Sequence, residues 1–358
     1  MSTRSTGAGL LVALLSAATF ATSGPFAKSL LDTGWTPGSV VLLRIAGAAL
    51  LLAVPAVRAL SGRWHLLRRG WRHVVGYGVA AIAVPQLGFF YAVQHLSVGV
   101  ALLLEYLGLV LVVGWQCLVA RRLPRTPTVL GIVLAVVGLV LVLDLVGGVR
   151  VDGIGVMWGL IAALGLASYF LLSGHAAEQP LPPLVLAGGG MVVATLGFAA
   201  LGVSGVLPMA FDARPVVLAG TALPWWVAVL ELAVFAAATP YITGIIATRI
   251  LGAKVASFVG LSEVMFAVLF AWVLLGQLPR PVQLLGGLFI LAGVVTVRAE
   301  SSREAVGSAA EPGVALGVTL LGDPAVVTDD RVELGGDHVV VAQHHGGVVR
   351  TVEEHGPV

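Results

Sequence analysis

The sequence predicts an all-α polytopic membrane protein whose ten transmembrane helices form two inverted five-helix repeats. Three observations carry that expectation. The chain is 58% hydrophobic and only 11% charged, with a mean hydropathy of +1.01, whereas soluble domains carry about 25% charged residues. Crossing ~30 Å of hydrocarbon takes about 20 apolar residues, and runs of roughly that length recur ten times, near 8–28, 38–60, 74–95, 97–120, 127–146, 154–174, 184–206, 226–247, 254–276 and 281–298. Finally, the chain matches itself without a gap when displaced by 155 residues: Leu96 falls on Leu251, Val100 on Val255 and Ala101 on Ala256. The same displacement carries Leu123-Pro124-Arg125 onto Leu278-Pro279-Arg280, Gly131 onto Gly286 and Gly138 onto Gly293.

Each run is read as a helix because backbone polar groups find no water partner in lipid. The first follows Arg4 and resembles a secretory signal, but it continues through Pro25 and Phe26 toward Leu31 and is read as an uncleaved span. Basic residues then set the orientation. Arg58, Arg63, Arg68, Arg69 and Arg72 lie between the second and third runs, Arg121, Arg122 and Arg125 between the fourth and fifth, and Arg249 and Lys254 between the eighth and ninth. With Arg4 and Arg298, one side collects 12 of the 17 basic residues in 1–298. Lys28, Arg44, Arg150, Arg214 and Arg280 fall on the other. Basic loops stay cytoplasmic, so both ends of the membrane part are placed inside. Trp35, Trp64, Trp71, Trp225 and Trp226 fall at span edges, where the interface favours amphipathic rings.

A repeat of five spans has an odd number, so its second copy enters the membrane from the opposite side. Inverted copies of this kind place substrate sites near the midplane, at the repeat interface. Gly131 and Gly138, and again Gly286 and Gly293, are seven apart, which puts each pair on one helix face where neighbours can approach closely. The expected organisation is a first repeat over 1–148, a second over 149–298, and a disordered cytoplasmic tail over 299–358. The tail is acidic, with 3 Lys+Arg against 10 Asp+Glu (3 − 10 = −7), while 1–298 is basic (17 − 8 = +9). His338, His344, His345 and His355 in that tail are read as solvated rather than as metal ligands. The single cysteine, Cys117, excludes an intrachain disulfide and a cysteine-based metal cluster.

Chemistry is confined to a few polar residues inside the spans. Glu105 and Tyr106 lie eight to nine residues into the fourth run and Glu263 about nine into the ninth, roughly 12–14 Å deep at ~1.5 Å per residue. A charge at that depth costs at least ~2.5–3.5 kcal/mol, so an intramembrane acid is a site candidate. In the repeat frame Glu105 matches Gly260 and Glu263 matches Gly108; the acids are three places apart, nearly on one face of equivalent helices. Arg44 offers a cation for a substrate carboxylate or a partner glutamate, and Gln86 a midplane hydrogen-bonding group. Lys28 is read as snorkelling, Glu231 lies nearer the outer end of its helix, and Tyr169, Tyr241 and Trp158 offer aromatic walls. The candidate substrate-binding or coupling residues are therefore Glu105, Tyr106, Glu263, Arg44 and Gln86, with no catalytic residue, metal or cofactor. The chain has no GxxxxGK[ST] loop, no HExxH and no GxSxG elbow.

The segments ATSGPFAKSLL (21–31), FFYAVQHLSVGVALLLEYLGLVLVV (89–113) and ASFVGLSEVMFAVLFAWVLLGQLPRPVQLLGGLFILAGVV (256–295) resemble the drug/metabolite transporter superfamily, EamA-type. The resemblance covers about 8–298. It departs where the family usually reads Glu-Pro and Gly-Glu, here Glu263-Val264 and Gly276-Gln277, and where a proline is common, here Leu109. It implies a secondary carrier in the cytoplasmic membrane, often an exporter of amino acids or related small metabolites, and not an enzyme. The partners this implies are a small-molecule substrate and the lipid bilayer; no nucleic acid is expected, and a homodimer is left open. The alternative from another class is a membrane scaffold or sensor working through the acidic tail. The topology has a direct check: reporters fused after Arg69 and after Arg303 should both read as cytoplasmic, and an external signal from either would defeat the inverted arrangement.

Overall fold

Hydrocarbon supplies no partner for a backbone N–H or C=O, and the computed structural model is accordingly helical through its apolar part. It describes the backbone of 3–119, 126–142, 152–177 and 181–310, with short strands beyond. Arg121, Arg122, Arg125, Asp144, Arg150, His338 and His355 lie outside the described residues, as do the side chains of Cys117, Arg249 and Lys254.

The helices are α1 (Thr3–Ala21), α2 (Ser23–Leu31), α3 (Pro37–Leu60), α4 (Trp64–Gly76), α5 (Val84–His95), α6 (Val98–Val119), α7 (Thr126–Val142), α8 (Gly153–Ala177), α9 (Pro183–Val203), α10 (Trp225–Leu230), α11 (Thr239–Gly260), α12 (Ser262–Leu275) and α13 (Pro281–Ala310). Among the described residues, six helical stretches are long and apolar enough to cross a membrane: Gly7–Leu31, Pro37–Leu60, Trp64–His95, Gly153–Leu172, Pro183–Val203 and Trp225–Ala247. Four shorter apolar helices accompany them, Val98–Val112, Val129–Val142, Ser262–Leu275 and Pro281–Thr296.

Among the described residues, two π-helical segments interrupt the third and sixth of these six stretches, Tyr77–Ala83 and Glu231–Ala238. A displacement of 155 carries Tyr77–Ala83 onto 232–238 and Pro85 onto Pro240. The cause is local: proline has no N–H and its ring crowds the carbonyl four residues earlier, so the turn before it widens. Both copies of the repeat thus carry the same widened turn and the same proline.

The packing is reciprocal. A methyl group added at Gly9 would come within 2.7 Å of Ile250 and 2.8 Å of Leu251; one added at Gly155 would come within 2.8 Å of His95 and 2.7 Å of Leu96. His95 and Leu96 are the positions that correspond to Ile250 and Leu251, so Gly9 and Gly155 occupy equivalent places. Along α7 and α13, Gly138 faces the Gly286 carbonyl and Gly293 faces the Gly131 carbonyl, a methyl at either meeting oxygen at 2.6 Å or 2.5 Å. The numbers run in opposite senses, so these equivalent helices pack antiparallel. The four glycines that share a spacing of seven meet in this one contact.

Several details differ from the sequence reading. The arginine-rich 63–73 stretch is helical rather than a loop, since its apolar residues fall on one face of α4, with Gly70 and Val74 buried. Helix α11 runs to Gly260 and kinks at Leu261, so Glu263 sits in the first turn of α12 rather than deep in a continuous helix. Trp35 is only 2% exposed; it packs on Phe211 and Trp225, and its Nε1–H donates to Asp212 O at 2.6 Å. The chain is not wholly helical: β1 (Val216–Leu218) and β2 (Thr221–Leu223) form a hairpin turning at Ala219 and Gly220, both at positive φ. Considered by itself, the unit 306–358 contains an antiparallel sheet of β3 (Val327–Thr328), β4 (Arg331–Glu333), β5 (Val339–His345) and β6 (Val348–Glu353). Its longest strands contain Val339–Val341 and Val348–Val349, β-branched residues that fit a pleated surface.

One end of the helical unit is tied by polar bonds. Val98 N–H donates to Gln277 Oε1 at 3.1 Å, Ala219 N–H to Leu274 O at 2.8 Å and Ser39 Oγ to Ala210 O at 2.7 Å. Asp152 caps α8, accepting from the N–H groups of Ile154 and Gly155, and bonds His95 Nδ1 at 2.9 Å. The Gly155 N–H first, and then His95, hold the Asp152 carboxyl below the usual carboxylate range. Because overpacking costs about 1–3 kcal/mol, Gly138→Ala should lower the melting temperature. Gly114→Ala, where nothing lies within 4 Å of the added carbon, should not. Equal melting of the two variants would remove the α7–α13 contact as a constraint.

Candidate functional site

A small cavity lies among the helices. The α1–α2 kink brings Phe20, Ala21, Ser23 and Gly24 to it, α3 brings Arg44, α5 Gln86 and Phe89, α6 Glu105, and α12 Glu263. The sequence supports this convergence locally. Pro25 leaves Ala21 O without its i+4 donor, which favours the kink at Thr22. A methyl at Gly24 would come within 2.2 Å of Val98, so only glycine lets the kinked helix approach α6.

Arg44 is the largest fully buried side chain, at 2% exposure. Its Nη2 donates to Ala236 O at 2.9 Å. That carbonyl would ordinarily receive the N–H of residue 240, which is proline. The guanidinium also stands 5.4 Å from the Phe20 ring centroid and 5.3 Å from that of Phe90, within cation–π range. Its Nε is buried with no partner, as are Gln86 Oε1 and Ser23 Oγ. Each such orphan costs about 1–3 kcal/mol, and all three belong to residues that line the cavity. They present a charged donor, an acceptor and a hydroxyl.

Tyr106 OH donates to Glu263 Oε2 at 3.1 Å. Glu263 lies in the first turn of α12. The five residues singled out from sequence are thus brought together, four lining the cavity and Tyr106 bonded to one of the four. The aromatic lining is Phe20 and Phe89; Tyr169, Tyr241 and Trp158, which the sequence offers as cavity walls or, more commonly for membrane aromatics, as packing, are not part of it. Trp158 instead stacks on Tyr91 at 4.4 Å, and Tyr169 packs on Tyr77 and Phe170. Ser23 and Thr22 gave no signal beyond adjacency to Pro25. Glu231, one turn from Ala236, bonds Thr22 through Oε1 while its Oε2 is buried without a partner. Among the described residues no three His, Cys, Asp or Glu side chains group as a metal site.

Comparison with known proteins adds three findings. The profile of the EamA-like transporter family matches residues 7–144 and 153–299. No curated protein matches significantly. Among solved structures, a crystal structure described only as that of a protein aligns with a TM-score of 0.53 and 19% identity, covering 83% of this chain and 99% of its own; at that identity the likeness is one of fold. The Tyr106–Glu263 bond has its own test. Tyr106→Phe should destabilise the protein by about 1–3 kcal/mol, and by much less in a Glu263→Leu background, where the acceptor is gone. The same loss in both backgrounds would show that Tyr106 acts by packing alone.

Proposed function

The chain belongs to the EamA-like transporter family, and from that premise we propose that it is a secondary transporter exporting small organic metabolites, amino acids among them, by alternating access without ATP. The repeats are 1–148 and 149–298, inverted about an axis in the membrane plane and together spanning the cytoplasmic membrane ten times, with both termini and the tail 299–358 inside. The antiparallel contact of α7 with α13 and the paired contacts of Gly9 and Gly155 support this reading, as does the partition of basic residues. In that orientation the tied end, with Val98–Gln277 and Ala219–Leu274, is the outer one, so the outer side is the closed side here.

The observation that carries the proposal is the set of unpartnered polar atoms on residues that line one cavity together with two acids. Arg44 Nε–H is placed to bind a substrate carboxylate. Gln86 Oε1 and Ser23 Oγ are placed for its polar substituents, and Glu105 and Glu263 for a substrate cation. Charge-assisted bonds of this kind are worth about 1.5–3 kcal/mol, and each ~1.4 kcal/mol is tenfold. Glu105→Gln and Glu263→Gln should therefore each lower amino-acid flux in proteoliposomes by about tenfold or more while expression and melting stay near wild type. Full activity of both variants at every pH would remove the acids from the mechanism. Metabolite profiling of the medium of an overexpressing strain identifies the solute.

A further inference from the structure

Glu231 stands apart from the cavity lining, yet its surroundings fix its protonation by a count of hydrogens. Thr22 Oγ1 lies 2.6 Å from Thr19 O and is also bonded to Glu231 Oε1. The Thr19 carbonyl has no proton to give and the Thr22 hydroxyl has one. An ionised Glu231 offers acceptors only, which would leave three oxygens sharing a single proton. A neutral Glu231 supplies the second proton: its O–H donates to Thr22 Oγ1, and the Thr22 hydroxyl donates to Thr19 O. The remaining oxygen, Oε2, is buried with no partner. The C=O of a neutral acid bears that at a modest cost, whereas a carboxylate does not.

Among the described residues no salt bridge reaches Glu231. On α3, the charged group that faces it is Arg44, which interacts with it through space while its Nη2 is committed to Ala236 O. On α2, Lys28 pairs with Asp32 at 2.9 Å; on α11 the titratable neighbour is Tyr241. Neither α10 nor the described side chains of α1 include a titratable residue.

We propose that Glu231 is a proton-binding site, and that its proton is the one exchanged during transport, a role distinct from the substrate contacts of Glu105 and Glu263. Thr22 transmits its occupancy. When the proton leaves to water, the Thr22 hydroxyl turns to the carboxylate and Thr19 O loses its donor, which loosens the last turn of α1. That turn and the kink beside it carry Phe20, Ser23 and Gly24 into the cavity, so protonation of Glu231 sets the shape of the site. The coupling half of this proposal rests on the transport reading above.

Infrared difference spectra of the purified full-length protein across pH test the proton site without any substrate. Glu231→Gln should delete one carboxylic-acid C=O band, and Thr22→Val, which removes the acceptor of the acid proton, should shift that band without deleting it. Unchanged acid bands in both variants would overturn the site, and the Thr22→Val shift decides if Glu231→Gln fails to fold. In proteoliposomes given a panel of labelled amino acids, Glu231→Gln should keep exchange of labelled for unlabelled solute and lose the response of net flux to an imposed pH gradient. A retained response would overturn the coupling role. Absence of any flux in the wild type counts against the transport reading, while the infrared result still decides whether Glu231 holds a proton.

Discussion

Pro240 cannot donate to the carbonyl of Ala236, and in hydrocarbon no water takes its place. Arg44 fills that vacancy from α3. The bond joins the first half of the chain to the second, and it fixes a guanidinium between Phe20 and Phe90. With Nη2 committed to the backbone, Nε stays unpartnered. The guanidinium is therefore held in place by the defect that a proline makes in a neighbouring helix.

The duplication explains why the defect lies where it does, and divergence explains why the site is asymmetric. Both copies carry a π-helical turn followed by proline at equivalent positions. At Pro85 the backbone is approached by Gly165, where a methyl would meet Pro85 N at 2.5 Å. At Pro240 the neighbouring groups are polar, with Ser16 Oγ donating to Pro240 O at 3.0 Å and Arg44 to Ala236 O at 2.9 Å. One copy closes its widened turn by packing and the other by hydrogen bonds. The symmetric elements make the scaffold, and the site grows where the copies differ.

Much of this was legible in the sequence because membrane solvation leaves few options. Buried polar residues are rare, so Arg44, Gln86, Glu105, Tyr106 and Glu263 were few enough to single out, and their depth along each run placed them at one level. The spacing of seven put each glycine pair on one helix face, and the structure supplies the partner, each pair meeting the other across α7 and α13. Other features were hidden because they depend on three-dimensional partners. Trp35 reads as an interfacial ring until the 204–214 segment folds over it and supplies the Asp212 carbonyl. The kink at Leu261 has no proline to announce it; its mark is Val264 N–H reaching back only to Leu261 O at 3.3 Å. Glu231 seemed peripheral by position, and only the bond to Thr22 shows it in the same polar layer as Arg44.

The central claim is that Arg44 replaces a donor that Pro240 withholds, and a double-mutant cycle on stability tests it most directly. Arg44→Met alone should be strongly destabilising, since it leaves the Ala236 carbonyl without a partner. In a Pro240→Ala background the helix regains its own N–H at position 240, and the same Arg44→Met change should cost less by about 0.5–3 kcal/mol, the range of coupling between groups in contact. An identical cost of Arg44→Met in the two backgrounds would contradict the account.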